Sequence, residues 1–211
     1  MNNKGKTMIV GFGHRARSGK DTCADYLAKN YGFAQLSFGG PLKKAAKAIF
    51  GLSDEQLTTS KNVVDSYWGE TPRYILQKLG TECLRHGYSS DVWVRALHRV
   101  IVKNRKAYEA TKNLDDDCTK VHLIPNWVIS DVRFKNEAEA IKSWGGILVK
   151  LTRFVDEDLE GIEGHPSEEE LATYNEWDYT IDNNGTLDLL YARIDALMNE
   201  LSIQKITGGR R

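Results

Sequence analysis

An α/β fold, with a mainly parallel sheet covered by helices on both faces, is predicted by three features of the chain. Short apolar runs alternate with segments of helical periodicity along most of its length. A basic, glycine-containing turn joins the first apolar run to the first helical segment. The composition, 41% hydrophobic and 27% charged in 211 residues, suffices for a sizeable core beneath a wet surface and excludes disorder and collagen. Right-handed strand–helix–strand crossovers then place the helices on both faces of the sheet. The length suits one compact domain with insertions rather than two independent cores.

Thr7–Phe12 is an apolar run suited to a buried strand, and from Lys20 the residues Cys23, Ala24, Leu27 and Ala28 recur at helical spacing until Tyr31 and Gly32. Phe33–Phe38 reads as a second strand. After Gly39 and Gly40, Pro41 opens a helix with Leu42, Ala45, Ala46, Ile49 and Phe50 on its apolar side, stopped by Gly51. Ser53–Glu70 is polar and reads as a surface excursion. Thr71 as N-cap and Pro72 at the first helical position start a helix through Tyr74, Ile75, Leu76, Leu79, Cys83 and Leu84. Ser90 or Asp91 caps the next, through Trp93, Val94, Leu97, Val100 and Ile101, and the aperiodic run Tyr108–Lys120 reads as a solvated loop. Asn126–Ser130 is a buried strand ending at Asp131, with a helix over Glu137–Trp144 and a stop at Gly145 and Gly146. Ile147–Thr152 is a further strand, Pro166 and Ser167 suggest a short helix, Tyr179–Ile181 is the last strand and Leu187–Leu201 the closing helix.

Lys+Arg and Asp+Glu both number 29, so no whole-chain field argues for a nucleic-acid or membrane partner, and any anion site must be local. Cys23, Cys83 and Cys118 are odd in number and lack ligand spacing, which argues against a disulfide framework or structural zinc. The apolar run Met8–Phe12 is too short for a signal peptide or a membrane span, so a reducing cytoplasm is the expected compartment.

The most informative segment runs from Gly11 to Thr22, between the first strand and the first helix. Arg17, Ser18, Gly19, Lys20, Asp21 and Thr22 form the core of a phosphate loop. Small residues let backbone N–H groups converge on phosphate oxygens, the lysine neutralises β/γ charge, and the helix N-terminus adds partial positive charge. The motif departs from its usual form twice: His14 stands at the first-glycine position, and Asp21 replaces the Ser/Thr after lysine. Thr22 is the preferred magnesium-side hydroxyl, with Asp21 as a rival acting through water. Arg17 is the better placed of the loop arginines for nucleotide phosphate or base.

Asp131, at the carboxyl end of a buried strand, projects beside the phosphate loop if the two strands are neighbours. There it would hold Mg²⁺ or orient an attacking phosphate oxygen; a helix N-cap is the alternative. Arg133 either binds phosphate or pairs with Glu137. Arg73, Arg85 and Arg153 gain weight because a reaction between two polyanions needs several cations. Arg153 begins the acidic segment where a closing lid would sit, with His165 in that segment serving lid closure or phosphate contact rather than base catalysis.

With these pieces in order, the chain resembles the bacteriophage-type deoxynucleoside monophosphate kinases of the P-loop kinase superfamily. The matching stretches are R-S-G-K-D-T at 17–22, G-P-L-K at 40–43, L-Q-K-L-G-T at 76–81, D-V-W-V at 91–94, S-D-V-R-F-K-N-E at 130–137, G-H-P-S-E at 164–168 and D-N-N-G-T-L at 182–187. The resemblance implies a three-layer α/β/α P-loop kinase fold, with a core at about 1–52 and 121–211, a helical acceptor-binding insertion at about 53–120 and a lid at about 153–170. It implies transfer of phosphate from ATP, with Mg²⁺, to a deoxynucleoside monophosphate. Lys20 and its loop would hold the ATP phosphates, Asp131 would sit at the reaction centre, and Lys43, Arg73, Gln77 and Thr81 would bind the acceptor, with Arg85 nearby and Trp93 supporting that pocket. A homodimer stays open.

Two other readings compete. S-G-K-D also resembles the phosphomevalonate kinase group, so phosphomevalonate or dephospho-coenzyme A is an alternative acceptor; a nucleoside site would need an aromatic or amide group against a base, which Gln77, Tyr74 and Trp93 offer. A nucleotide-binding switch or motor is the other. The residue after Asp131 is Val132 rather than the glutamate motors use, and no N-K-x-D guanine-reading motif is present.

Overall fold

Every residue of the first strand, β1 (Ile9–Gly13), is buried, as a strand must be when its sheet is covered on both faces. The computed structural model describes residues 7–15, 17–112, 126–153 and 170–206. The other strands are β2 (Ala34–Leu36), β3 (Trp127–Val132), β4 (Ile147–Thr152) and β5 (Tyr179–Asp182). They form one sheet in the order β2-β3-β1-β4-β5, with every neighbouring pair parallel. The α/β class with a parallel sheet is therefore as predicted. Strand ends differ by a residue or two: β1 runs on to Gly13, β2 is shorter than expected, and β3 continues through Asp131 to Val132.

By their contacts the residues divide into two compact units, Met1–Leu36 with Ala110–Arg211, and Ser37–Glu109. The first unit carries the sheet and the helices α1 (Lys20–Tyr31), α5 (Lys135–Ser143) and α6 (Leu187–Glu200). Side chains alternate across a strand, so Val10 and Phe12 share one face, where they pack with Leu27, Tyr31, Ile194 and Met198 of α1 and α6. Gly11 lies between them and faces the other way, against Ile141 of α5 and Leu148. The unit is thus three-layered, α/β/α. Burial of Trp127, Phe12, Ile9 and Leu27, each under 2% exposed, supplies about 1.5–3 kcal/mol per side chain before conformational entropy is counted. Burial pushes the Cys23 thiol up to about 12, so this cysteine is an inert core residue.

One polar cluster ties α1 to α6. The Asp195 carboxylate accepts from Tyr26 (2.8 Å), Tyr31 (2.7 Å) and Lys205 (2.7 Å). Burial alone would raise the pKa of Asp195, but the donors from Lys205, Tyr31 and Tyr26 outweigh it and hold the group below its ordinary value. A depressed folded-state pKa stabilises the fold above the unfolded value near ~3.9, and that gain is lost as pH falls through the folded one. Asp195→Asn is therefore expected to lower Tm by about 2–4 °C at pH 7. The gap to wild type should close in acid. Thermal scans at a series of pH values falling from 7 check the drop and its narrowing as Asp195 protonates.

The second unit holds α2 (Gly39–Phe50), α3 (Pro72–Gln77), a π-helical continuation (Lys78–His86) and α4 (Val92–Lys112). Thr71 caps α3 as predicted, accepting from the Tyr74 N–H, with Pro72 at the first helical position. The surface excursion is ordered by its own polar groups. Ser53 and Gln56 bond each other's backbone N–H, and Asp65 accepts from the N–H groups of Tyr67 and Trp68. Ala46, Leu52, Leu57 and Ile75 form the small core of this unit. The first residues of the loop expected over Tyr108–Lys120 are helical instead, because α4 runs to Lys112: the segment after Ile101 is rich in Lys, Arg and Ala, whose helix propensity carries the helix past its apolar stripe. The remainder of that expected loop lies outside the described residues.

Among the described residues, no helix is long and apolar enough to cross a membrane. Cys118, His165, the short helix expected at Pro166 and Ser167, and residues 154–169 of the lid expected at about 153–170 lie outside the described residues.

Candidate active site

The chain leaves β1 through α1 toward β2 on one side, and leaves the neighbouring β3 through α5 toward β4 on the other. Adjacent strands whose connections diverge open a crevice at their carboxyl ends, the place where α/β sheets bind ligands. The phosphate-loop segment and Asp131 both sit at this switch point.

The loop is tightly wound. His14, Arg17 and Gly19 all have left-handed backbone, with φ of 91°, 59° and 97°. His14 thus adopts glycine-type backbone at the first-glycine position although it is not glycine, a strain that structures keep mainly at functional sites. Its imidazole meets the edge of Trp177, ring centres 6.5 Å apart, and its Nδ1 is buried without a hydrogen-bond partner. A Cβ on Gly13 would lie 2.6 Å from the same indole, so Trp177 closes on the end of β1 only because Gly13 has no side chain. Burial, then the positive charges of Lys150, Arg15 and Lys20, hold His14 below its ordinary pKa against a bond to the Leu151 backbone. The ring is accordingly neutral at pH 7.

Lys20 opens α1 and turns back over the loop. Its Nζ donates to the carbonyl oxygens of His14 (3.2 Å) and Arg15 (2.5 Å) and to Ser18 Oγ (3.3 Å). Ser18 is 1% exposed, whereas Arg15 and Arg17 are exposed. From the far side of the sheet sequence, Asn183 Nδ2 donates to the Ser18 carbonyl at 2.8 Å.

Asp21 and Thr22, in the first turn of α1, are exposed and half-buried. Asp21 Oδ1 accepts from Ser130 Oγ on β3 at 2.6 Å. Here β3 carries a bulge: Gly11 pairs with Ile129 but Gly13 with Val132, so Ser130 and Asp131 together oppose Phe12. Bulges recur beside active sites because they re-aim side chains that strict alternation would send to opposite faces. The alternative of Asp131 as N-cap is overturned. The cap position is Phe134, and the buried Glu137 satisfies the first donors, accepting from the N–H groups of Arg133 (2.9 Å) and Phe134 (3.2 Å). The Arg133 side chain and Arg153, just beyond β4, are exposed.

The residues expected to bind acceptor all belong to the unit Ser37–Glu109. Lys43 on α2 and Thr81 in the π-helical segment are half-buried, and Gln77 is exposed. Arg73 Nε donates to Asn62 Oδ1 at 2.6 Å. Arg85 is buried and donates to the Ser90 carbonyl. Trp93 is buried with Nε1–H on the Gly80 carbonyl at 2.9 Å, so it props the π-helical backbone rather than offering a face to a base. Tyr74 is 47% exposed and does offer one.

Asn183, Ser130 and Trp177 escaped the sequence reading. Asn183 lies in the D-N-N-G-T-L stretch, which carried the resemblance but no role, and Ser130 stands beside the aspartate that drew attention. Among the described residues no group of three or more His, Cys, Asp or Glu converges as a metal site. Asp21, Thr22 and Asp131 offer oxygen donors only, the kind suited to Mg²⁺, which is held by one or two carboxylates together with substrate phosphates.

No protein-family model matches the chain. A protein of Acanthamoeba polyphaga mimivirus, named as a deoxynucleotide monophosphate kinase, is 35% identical over 199 residues, covering 92% of this chain and 98% of the viral one. Solved structures with similar chain tracing include a sugar kinase from Janibacter sp. HTCC2649 (14% identity, 94% and 96% of the two chains, TM-score 0.48) and a shikimate kinase from Acinetobacter baumannii (14%, 93% and 94%, 0.44). At such scores they add no weight. The viral relative, matched end to end at that identity, suffices: the chain belongs to the deoxynucleotide monophosphate kinase family, and it is a kinase.

Proposed function

We propose that this kinase transfers the γ-phosphoryl group of ATP to a deoxynucleoside monophosphate, with Mg²⁺, giving ADP and the deoxynucleoside diphosphate. The observation that carries the reading is the loop wound around Lys20, a cationic cradle at the switch point of a parallel sheet with two carboxylates beside it. Arg17, Ser18, Gly19, Lys20, Asp21 and Thr22 bind the triphosphate. Asp21, Thr22 and Asp131 are the residues that would hold Mg²⁺, which when bound neutralises charge on the phosphates. Lys43, Arg73, Gln77 and Thr81 bind the acceptor, Tyr74 offers a stacking face, and Arg85 and Trp93 support that region from within.

In the reaction an acceptor phosphate oxygen forms a bond to the γ-phosphorus as the bond to the β–γ bridging oxygen breaks, and ADP leaves with that electron pair. The nucleophile is already anionic, so no general base is needed, and catalysis consists of positioning and charge stabilisation. Lys20 supplies fixed positive charge at the transferring group, with Arg133 and Arg153 as further cations at the carboxyl edge of the sheet. Asp131 orients the attacking oxygen or the metal. In domain terms we read a single P-loop kinase domain with its helical acceptor-binding insertion and a lid at about 153–170. The compartment is the cytoplasm and the homodimer is a reading still to be tested by light scattering.

The deciding experiment is a coupled ADP-release assay with ATP and Mg²⁺ against deoxynucleoside and ribonucleoside monophosphates, phosphomevalonate, dephospho-coenzyme A and no acceptor. Release dependent on a deoxynucleoside monophosphate is expected. Activity with only a non-nucleoside acceptor would overturn the assignment of the acceptor, and acceptor-independent hydrolysis would overturn transfer.

A further inference from the structure

We infer that Asn183 is a positioning residue for the phosphate loop, fixing the Ser18–Gly19 peptide so that the cradle is formed before the triphosphate arrives. The inference rests on reading that loop as the triphosphate site. Asn183 is 8% exposed and stands in the turn that follows β5. Its backbone N–H donates to the Thr152 carbonyl at 2.7 Å, fastening the turn to β4. Asp182 before it bonds Arg193 of α6, and Thr186 after it caps that helix by accepting from the Leu189 N–H. The turn is thus held at both ends, and the Asn183 side chain is presented from a rigid frame.

What it is presented to is the Ser18 carbonyl, at 2.8 Å in a buried setting. A carbonyl oxygen only accepts, so the amide must turn its NH₂ end toward it, which fixes the carboxamide's orientation. The peptide bond is planar, so pinning Ser18 C=O on one side aims the Gly19 N–H to the opposite side. Gly19 itself is shaped by the same contact. Its φ is 97°, and a Cβ there would lie 2.5 Å from Asn183 Nδ2. Glycine is therefore required twice over, once by the backbone and once by the asparagine packed against it. Ser18 Oγ, on the same residue whose carbonyl Asn183 holds, accepts from the Lys20 ammonium. One side chain, 165 positions along the chain from its partner, thus sets the peptide on which the lysine's own position depends.

A residue that organises the cradle affects binding of any polyphosphate, whatever base it carries. The test is titration calorimetry of ATP, inorganic tripolyphosphate and a deoxynucleoside monophosphate on wild type, Asn183→Ala and Asn183→Asp, each with a thermal melt. Asn183→Asp keeps the size of the side chain but exchanges the donor for an acceptor, so it tests the bond even if the alanine variant folds poorly. Both variants are expected to weaken ATP and tripolyphosphate by the same factor, about tenfold, while the monophosphate binds as to wild type. ATP weakened with tripolyphosphate unchanged would overturn the inference in favour of base recognition. Equal weakening of all three ligands would overturn it in favour of a general structural role. Wild-type affinity for tripolyphosphate in both variants would remove it outright. If wild type itself binds neither ATP nor tripolyphosphate, the reading of the loop fails first and takes the inference with it.

Discussion

Lys20→Ala is expected to lower kcat by about 10²–10³ and to raise the KM for ATP, with the fold intact. The Lys20 ammonium lies over the loop's own carbonyl oxygens, bonded to His14, Arg15 and Ser18, so no buried apolar contact depends on its charge. On the proposed reading, removing it takes fixed positive charge from the position where negative charge would be redistributed between γ-phosphate and leaving group, and water would replace it poorly because water must reorganise. Lys20→Arg is a sharper probe. A guanidinium keeps the charge but is planar and forked, whereas the lysine acts as a compact point charge among the close acceptors His14 O, Arg15 O and Ser18 Oγ. Its kcat should fall between wild type and alanine. The checks are steady-state kinetics with saturating acceptor, circular dichroism and Tm; an alanine variant within threefold of wild-type kcat at unchanged Tm would remove Lys20 from the reaction.

The features legible in the sequence are those whose chemistry is local. The wound loop between β1 and α1 shows because Arg17 to Thr22 are consecutive, and β1 shows because burial on both faces demands an unbroken apolar run. Thr71 and Pro72 mark a helix start that depends only on neighbouring residues. The rest of the site depends on long-range geometry that no window of sequence contains. Ser130 meets Asp21 across 109 positions, and Asn183 meets Ser18 across 165. The bulge at Ser130 and Asp131 adds one residue to a strand without altering its apolar character, so alternation gives no sign of it. The π-helical segment after Gln77 is equally silent, since one extra residue per turn hardly changes the spacing of Leu79, Cys83 and Leu84. His14 was visible as a departure from the motif; that it would take up glycine's backbone, and lean on Trp177 to do so, follows only from the packing at Gly13.

Asp131→Asn is expected to reduce kcat by about 10²–10³ while ATP affinity measured without metal stays near wild type. The bulge is the reason for placing so much on one carboxylate. Were β3 regular, Ser130 and Asp131 would point to opposite faces, one toward α1 and one toward α5. With the pair facing the single residue Phe12, the strand presents Ser130 to Asp21 and carries Asp131 at the same edge, half-buried beside the loop. The cap position of the helix that follows is Phe134, and Glu137 accepts from the N–H groups of Arg133 and Phe134. Asparagine keeps the size of the side chain and removes its charge, so a loss of rate reflects electrostatics rather than packing. If Asp131 serves the metal, the Mg²⁺ concentration for half-maximal rate rises along with the fall in kcat. If it orients the attacking phosphate oxygen, that concentration stays put and kcat alone falls. An asparagine variant with wild-type kcat and wild-type Mg²⁺ dependence would exclude both roles and leave Asp21, held at 2.6 Å by Ser130, as the carboxylate on which metal binding rests.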